Sequence, residues 1–337
     1  MGKNTQVTIK DLAREAGVSV STVSRALNDS GRVSIATRRR VRELARQVGF
    51  VPDASAQTMR TQKSRTILLV VPDIDNPFYS RMAGALQKMA KDRRYVLTLF
   101  STNEERGEEF HAIETARSLR VGGIVFASVS QDAEVIGGLD RLNIPTVLLN
   151  SYVGGAYDTV HGERNTGTLL STRELIRRGH RRIGFAGGPS NTVIGVSRRT
   201  GYADALKEAG IPLDSRLMFE MGFTLEAGYK AGKYFSSLPE RPTAVCCAND
   251  MIAMGVLSAL YESGIPVPEE ISVVGMDDLV YSRITNPPLT TVSNDSCEFA
   301  RRGFELLLDR MEGGYDGPPR EVVLPRRLIE RSSVRDL

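Results

Sequence analysis

Two rhythms of apolar and polar residues divide the chain. Over the first fifty residues apolar side chains recur three and four positions apart, as on one face of a helix. The segment Thr8-Ile9-Lys10-Asp11 places a hydroxyl three residues before a carboxylate, a pairing that satisfies the orphan amides of a helix start. Leu12 and Ala16 then share a face, and Gly17 supplies the left-handed residue needed for a tight exit. Ser19 can cap a second helix reaching about Leu27, with Val23 and Leu27 four apart on its inner face. Ser34 announces a third helix, expected over Thr37 to Val48 and ended by Gly49, with Val41, Leu44, Ala45 and Val48 at helical spacing. Three short helices around a small core leave Val20, Ser21, Thr22, Ser24 and Arg25 at the start or outer face of the second helix. A protein that reads the major groove needs its side chains there.

From Thr66 onward the rhythm changes. Short runs rich in β-branched and apolar residues are expected as strands over 66–71, 96–100, 123–126, 146–149, 182–186, 244–248 and 272–276. Between them lie helical patterns including 78–93, 107–119, 196–209, 225–236 and 251–262. Strands alternating with crossover helices imply parallel sheets. So many units divide more naturally into two doubly wound lobes, with the ligand in the crevice at the carboxyl ends of the strands.

Charge sharpens the division. Residues 1–63 carry 12 Lys/Arg against 5 Asp/Glu, a net +7 that leaves −3 of the whole chain's +4 for the remainder. A basic head favours a polyanion, because each cation near a phosphate releases condensed counterions. No apolar run follows the basic start and none is long enough to span a membrane, so a cytoplasmic protein is expected. Cys246 and Cys247 adjoin inside an apolar run, and the three histidines are scattered, so neither a disulfide framework nor a metal site is expected, nor any cofactor. There is no phosphate loop and no nucleophile elbow, and Asp277 and Asp278 are adjacent carboxylates with nothing to aim both at one bond. The pattern argues against an enzyme.

The segment TIKDLAREAGVSVSTVSRALN, Thr8 to Asn28, resembles the signature of the lactose-repressor (LacI/GalR) family. The resemblance implies a small all-α helix-turn-helix head plus an α/β two-lobed sensor of the periplasmic-binding-protein type, built on doubly wound parallel sheets. It implies that Val20 and Ser21 touch base edges and that Arg25 reaches a base, whose paired acceptors suit a bidentate guanidinium. Thr8, Ser19, Thr22 and Asn28 would contact phosphates and set register. Residues 1–51 would form the head and 52–63 a hinge helix, ordered on DNA, that wedges an apolar side chain into the minor groove. Met59 stands where relatives usually carry leucine. Residues 64–337 would form the ligand-binding and dimerising domain, with one lobe of about 64–163 and 295–322 and a second of about 164–294 and 323–337.

Landmarks at 71–79, 248–250, 275–278 and 287–292 carry the resemblance through the sensor. They point to a polyhydroxylated effector, which needs amides and carboxylates for its hydroxyls and an aromatic face for its ring. Asn76, Phe78 and Tyr79 follow the first strand, and Arg198 matches an arginine that grips ligand oxygen. Phe223 matches a stacking aromatic, while Asn249 and Asp277 close strand ends. Asn150 replaces a common aspartate, and Asn294 follows the last crossover strand. The expected protein is a repressor of carbohydrate-utilisation genes, a homodimer on a near-palindromic double-stranded operator. A nucleoside, purine or sugar-phosphate effector, acting as a corepressor, is the alternative. A secreted binding protein is disfavoured by the basic head.

Overall fold

The computed structural model describes residues 7–27, 31–50, 64–103, 105–128, 130, 132–151, 155–190 and 192–337. Asn28, Met59 and the expected hinge helix over 52–63 lie outside the described residues. The chain forms two compact units, Met1–Ser64 and Arg65–Leu337.

In the first unit, α1 (Ile9–Ala16), α2 (Val20–Leu27) and α3 (Ile35–Gln47) follow the caps written in the sequence. The Thr8 hydroxyl accepts from the Asp11 amide at 3.3 Å, and the Asp11 carboxylate accepts from the Thr8 amide at 3.1 Å. Gly17 ends α1 at φ 64°. α3 starts at Ile35 rather than Thr37, because the Ser34 hydroxyl accepts from the Thr37 amide and so occupies the cap itself. Leu12, Ala13, Ala16, Val23, Ala26, Val41 and Ala45 form the buried core.

The second unit holds two sheets of six strands. The first orders β11-β5-β4-β3-β1-β2, all parallel, from β1 (Thr66–Val71), β2 (Val96–Ser101), β3 (Gly123–Ala127), β4 (Thr146–Leu149), β5 (Asp158–Gly162) and β11 (Glu321–Leu324). The second orders β12-β10-β9-β8-β6-β7, from β6 (Ile183–Gly187), β7 (Met218–Glu220), β8 (Ala244–Cys247), β9 (Ser272–Asp277), β10 (Thr290–Ser293) and β12 (Leu328–Ile329). Only β12 in this sheet runs antiparallel, against β10. The helices are α4 (Pro77–Asp92), α5 (Arg106–Ser118), α6 (Ala133–Asp140), α7 (Thr166–Arg177), α8 (Val193–Glu208), α9 (Leu225–Ser237), α10 (Asp250–Glu262) and α11 (Ser296–Glu312). Among the described residues no helix is long and apolar enough to cross a membrane.

The chain leaves the first sheet after β5, returns after β10 and leaves again after β11. Short crossings at 163–165, 294–295 and 325–327 therefore join the lobes. The central strands of each sheet are buried on both faces, as parallel sheets require, while the edge strand β2 stays partly exposed.

β5 and β11 are among the strands the apolar pattern does not predict, and for β5 the reason is electrostatic. β5 is buried along its length yet opens on a carboxylate, Asp158. Arg310 on α11 and Arg320 before β11 both donate to it, each with a shortest contact of 2.8 Å. Burial alone would raise the Asp158 carboxyl, but these guanidinium hydrogen bonds outweigh it and hold the group below its ordinary value. Polar residues here build structure through pairing, which an apolar count does not register.

Removing the carboxylate strands two arginines at the edge of the core. Asp158→Ala is expected to cost about 3–5 kcal/mol, read as a lowered denaturant midpoint, with Asp158→Asn losing less. An unchanged midpoint would contradict this role.

Candidate functional site

On the head, the serine and threonine hydroxyls form one cluster at the start of α2. Ser19 Oγ accepts from the Thr22 amide at 3.2 Å, capping the helix, and lies 2.8 Å from Ser21 Oγ and 2.9 Å from Thr22 Oγ1. Thr8, Ser19, Val20, Ser21 and Arg25 are exposed and Thr22 is half-buried. Val20 keeps 40% of its surface exposed. The exposed face of α2 thus combines an apolar contact, hydroxyls and one guanidinium, the chemistry suited to base edges and phosphates. α3 adds Arg38, Arg39, Arg42 and Arg46 along one side.

In the second unit, all nine residues proposed for a ligand converge on one chamber. Asn76, Phe78, Tyr79, Asn150, Arg198, Phe223, Asn249, Asp277 and Asn294 line it together, with Ile194 added. The first four stand at the carboxyl ends of β1 and β4. Phe223, Asn249, Asp277 and Asn294 follow or end β7, β8, β9 and β10, and Arg198 comes from α8. Both sheets thus point the same ends into one crevice.

Local structure fixes each side chain. Asn76 caps α4 by accepting from the Phe78 amide at 3.0 Å, which places Phe78 and Tyr79 in the first turn. The two rings meet edge to face at 5.1 Å, and Tyr79 Oη lies 2.9 Å from Ser128 Oγ. Asn249 caps α10 through Oδ1 while Nδ2 donates to the Phe223 carbonyl at 2.9 Å. Gly188 makes room for the Phe223 ring, since a Cβ there would lie 2.2 Å from it. Asn150, at φ 52°, and Asp277, at φ 122°, hold left-handed backbone beside the chamber, and such conformations concentrate at functional sites.

Charge inside the chamber is buried and coupled. Arg198 donates to the Ala248 carbonyl, and its other nitrogen lies 3.8 Å from Asp277 Oδ1. Asn294 Nδ2 donates to the same Oδ1 at 3.0 Å, while Asn294 Oδ1 is buried without a hydrogen-bond partner. Burial pushes the Asp277 carboxyl up to about 7 against the pull of Arg198. Asp250, one strand away, accepts from Leu279 N, Ser282 Oγ and Thr291 Oγ1 at 2.6–2.9 Å and braces the turn after β9.

The chamber has about 30 Å³ of free space, room for a water or two. Against it, sharing Asn150, Ile194 and Arg198, lies a partly open cavity of about 320 Å³. Apolar and polar pattern alone did not point to Ile194, His161, Arg164 or Arg326 in its lining. For Ile194 a signal existed: Thr192, whose hydroxyl accepts from the Gly195 amide, starts α8 three residues before the expected Val196. Cys246 and Cys247 are fully buried in β8, where burial pushes the Cys246 thiol up to about 12.

Comparison with known proteins follows the same division. Residues 8–53 match the model described as bacterial regulatory proteins, lacI family, and residues 172–334 match a periplasmic binding protein-like domain. The chain is 33% identical to the HTH-type transcriptional repressor CytR of Escherichia coli (strain K12), over 99% of this chain and 98% of the relative. It is 33% identical to the HTH-type transcriptional repressor PurR of Vibrio atlanticus (strain LGP32), over 98% and 99%. A crystal structure of the lac repressor dimer bound to operator and the anti-inducer ONPF aligns with a TM-score of 0.87 at 26% identity, over 98% and 100%. A complex of the transcriptional regulator CelR with cellobiose aligns at 0.73 and 30% identity, over 97% and 99%.

Asp277 supplies a pH test. Its folded value of about 7 exceeds the ordinary 3.8, so folding favours the protonated acid. That stability is complete below pH 4 and is lost as pH rises through 7, by at most about 1.4 kcal/mol per unit. Asp277→Asn should therefore gain on the wild type between pH 5 and pH 8, measured by denaturant unfolding without ligand. A pH-independent difference would contradict the buried acid.

Proposed function

The chain belongs to the lacI family of bacterial regulatory proteins, and from that premise we propose a repressor whose hold on a near-palindromic operator is set by a polyhydroxylated effector held between the sensor lobes. The observation that carries the effector half is the convergence of amides, a guanidinium, a carboxylate and aromatic rings from both sheets on one chamber. Rings cover an apolar sugar face while the polar groups exchange hydrogen bonds with hydroxyls. Relatives in complex with cellobiose or ribose lend the sugar reading weight. We place the protein in the cytoplasm, as a regulator rather than an enzyme.

The mechanism we infer is that the effector acts by shifting the lobes about their three crossings. An effector with different affinities for two lobe arrangements shifts their populations by that difference and no more. In a homodimer that shift moves the two heads together. The hinge segment, with Met59 as its apolar wedge, would transmit it.

On the DNA side, Val20, Ser21 and Arg25 read bases while Thr8, Ser19, Thr22 and Asn28 hold phosphates. Arg25→Ala is expected to cost about 1–3 kcal/mol and to relax preference at one operator position. Thr22→Val should weaken all sequences alike. Binding to a randomised operator library measures both, and unchanged base preference in Arg25→Ala would remove that residue from the reading face.

A further inference from the structure

The cavity beside the chamber has a chemistry of its own. Three of its thirteen lining residues are arginines, Arg164, Arg198 and Arg326, and none is a carboxylate. The first turns of α8, a helix of 16 residues, line it as well and present the positive end of the helix dipole. His161 is already committed, with Nε2 2.6 Å from Glu321 Oε1 and Nδ1 2.9 Å from the Gly162 carbonyl.

Arg326 is the unusual member. It lies on the third crossing, and its Nε is buried without a hydrogen-bond partner. Its Nη1 meets only the Met276 sulfur, at 3.8 Å. Among the described residues no carboxylate comes within ion-pair distance of it. The side chain is half-buried, and Asp277 and Glu163 act on it only from beyond ion-pair distance, so its charge is weakly compensated. Burial and the charge of Arg198 pull it down to about 9.

The fold nevertheless reserves space for this group. A Cβ on Gly162 would lie 2.4 Å from Arg326 Nε, and one on Gly167 would lie 2.6 Å from its Nη1. Glycine on both sides, at the end of β5 and in α7, forms a slot for the guanidinium.

We propose that the effector carries an anionic group, a carboxylate or a phosphate, which docks in this cavity on Arg326 and Arg198 while the hydroxylated part enters the adjoining chamber. This rests on the cleft being the effector site, and it narrows a polyhydroxylated ligand to a sugar acid or sugar phosphate. The Asn165 side-chain amide supplies a further donor at the cavity, whereas the Ser197 and Thr200 hydroxyls already donate to Asn165 Oδ1 and the Val196 carbonyl. The guanidinium fork matches either oxyanion in bidentate fashion.

Isothermal titration of the full chain with matched probes tests this: glucose against gluconate, glucuronate and glucose 6-phosphate, ribose against ribose 5-phosphate, and inorganic phosphate alone. An acid or phosphate should bind at least about tenfold tighter than its neutral partner, a ratio of the size expected for one charge-assisted contact. Arg326→Gln should erase that ratio and change the neutral sugar less than about twofold, Arg326→Lys should restore part of it, and Arg164→Gln should reduce it less. Melting curves of each variant verify folding. Neutral sugars binding as tightly as charged ones overturn the proposal, as does a ratio that survives Arg326→Gln. Phosphate binding as tightly as any sugar derivative also overturns it, since an anion site blind to the sugar is not the effector's. If neutral sugars bind without charge preference, only this inference falls. If no probe binds, the inference falls together with the cleft reading.

Discussion

Three short crossings hold two parallel sheets so that the carboxyl ends of both face one crevice, and the chemistry of the sensor depends on that constraint. The first two crossings are pinned by side-chain hydrogen bonds. Asn165 on the first accepts from the Ser197 hydroxyl at 2.9 Å, tying it to α8. Asn294 on the second donates to Asp277. Arg326 on the third lies in the glycine slot beside Gly162 and Gly167. The residues that join the lobes are thus the residues that line the cavities. A ligand that rearranges these contacts changes the lobe geometry directly, without a long path between site and hinge.

Burial of charge sets how responsive that geometry is. Arg198, Asp277 and Arg326 act on one another, and burial pushes Asp277 up to about 7 and Arg326 down to about 9. Asp158 shows the opposite case, a buried carboxylate held by two arginines. One cluster is satisfied internally and stabilises the fold. The other is left partly unsatisfied, which is what a site awaiting a ligand requires.

Much of the fold was legible because its elements follow local rules. The Thr8–Asp11 box, Gly17 and Ser34 mark helix ends through hydrogen bonds made within four residues, and buried strands such as β1, β4 and β9 read as apolar runs. β5 and β11 did not, since one pairs through Asp158 with residues more than 150 positions away and the other alternates exposed and half-buried residues at a sheet edge. The nine chamber residues came from family resemblance, and the structure brings them together although 218 positions separate Asn76 from Asn294. Arg326 carried no signal, because its meaning comes from glycines some 160 residues earlier. Asn28 on the head and Met59 on the hinge lie outside the described residues.

The central claim is that ligand in the cleft and DNA on the head share one coupling free energy. Linkage makes that reciprocal: the factor by which ligand changes operator affinity must equal the factor by which operator changes ligand affinity. Titrating the tightest-binding sugar derivative with and without saturating operator, and operator with and without saturating sugar derivative, measures both. The account predicts equal factors of about 5–150. Factors of one in the wild type would contradict it, showing a sensor that binds without controlling the head.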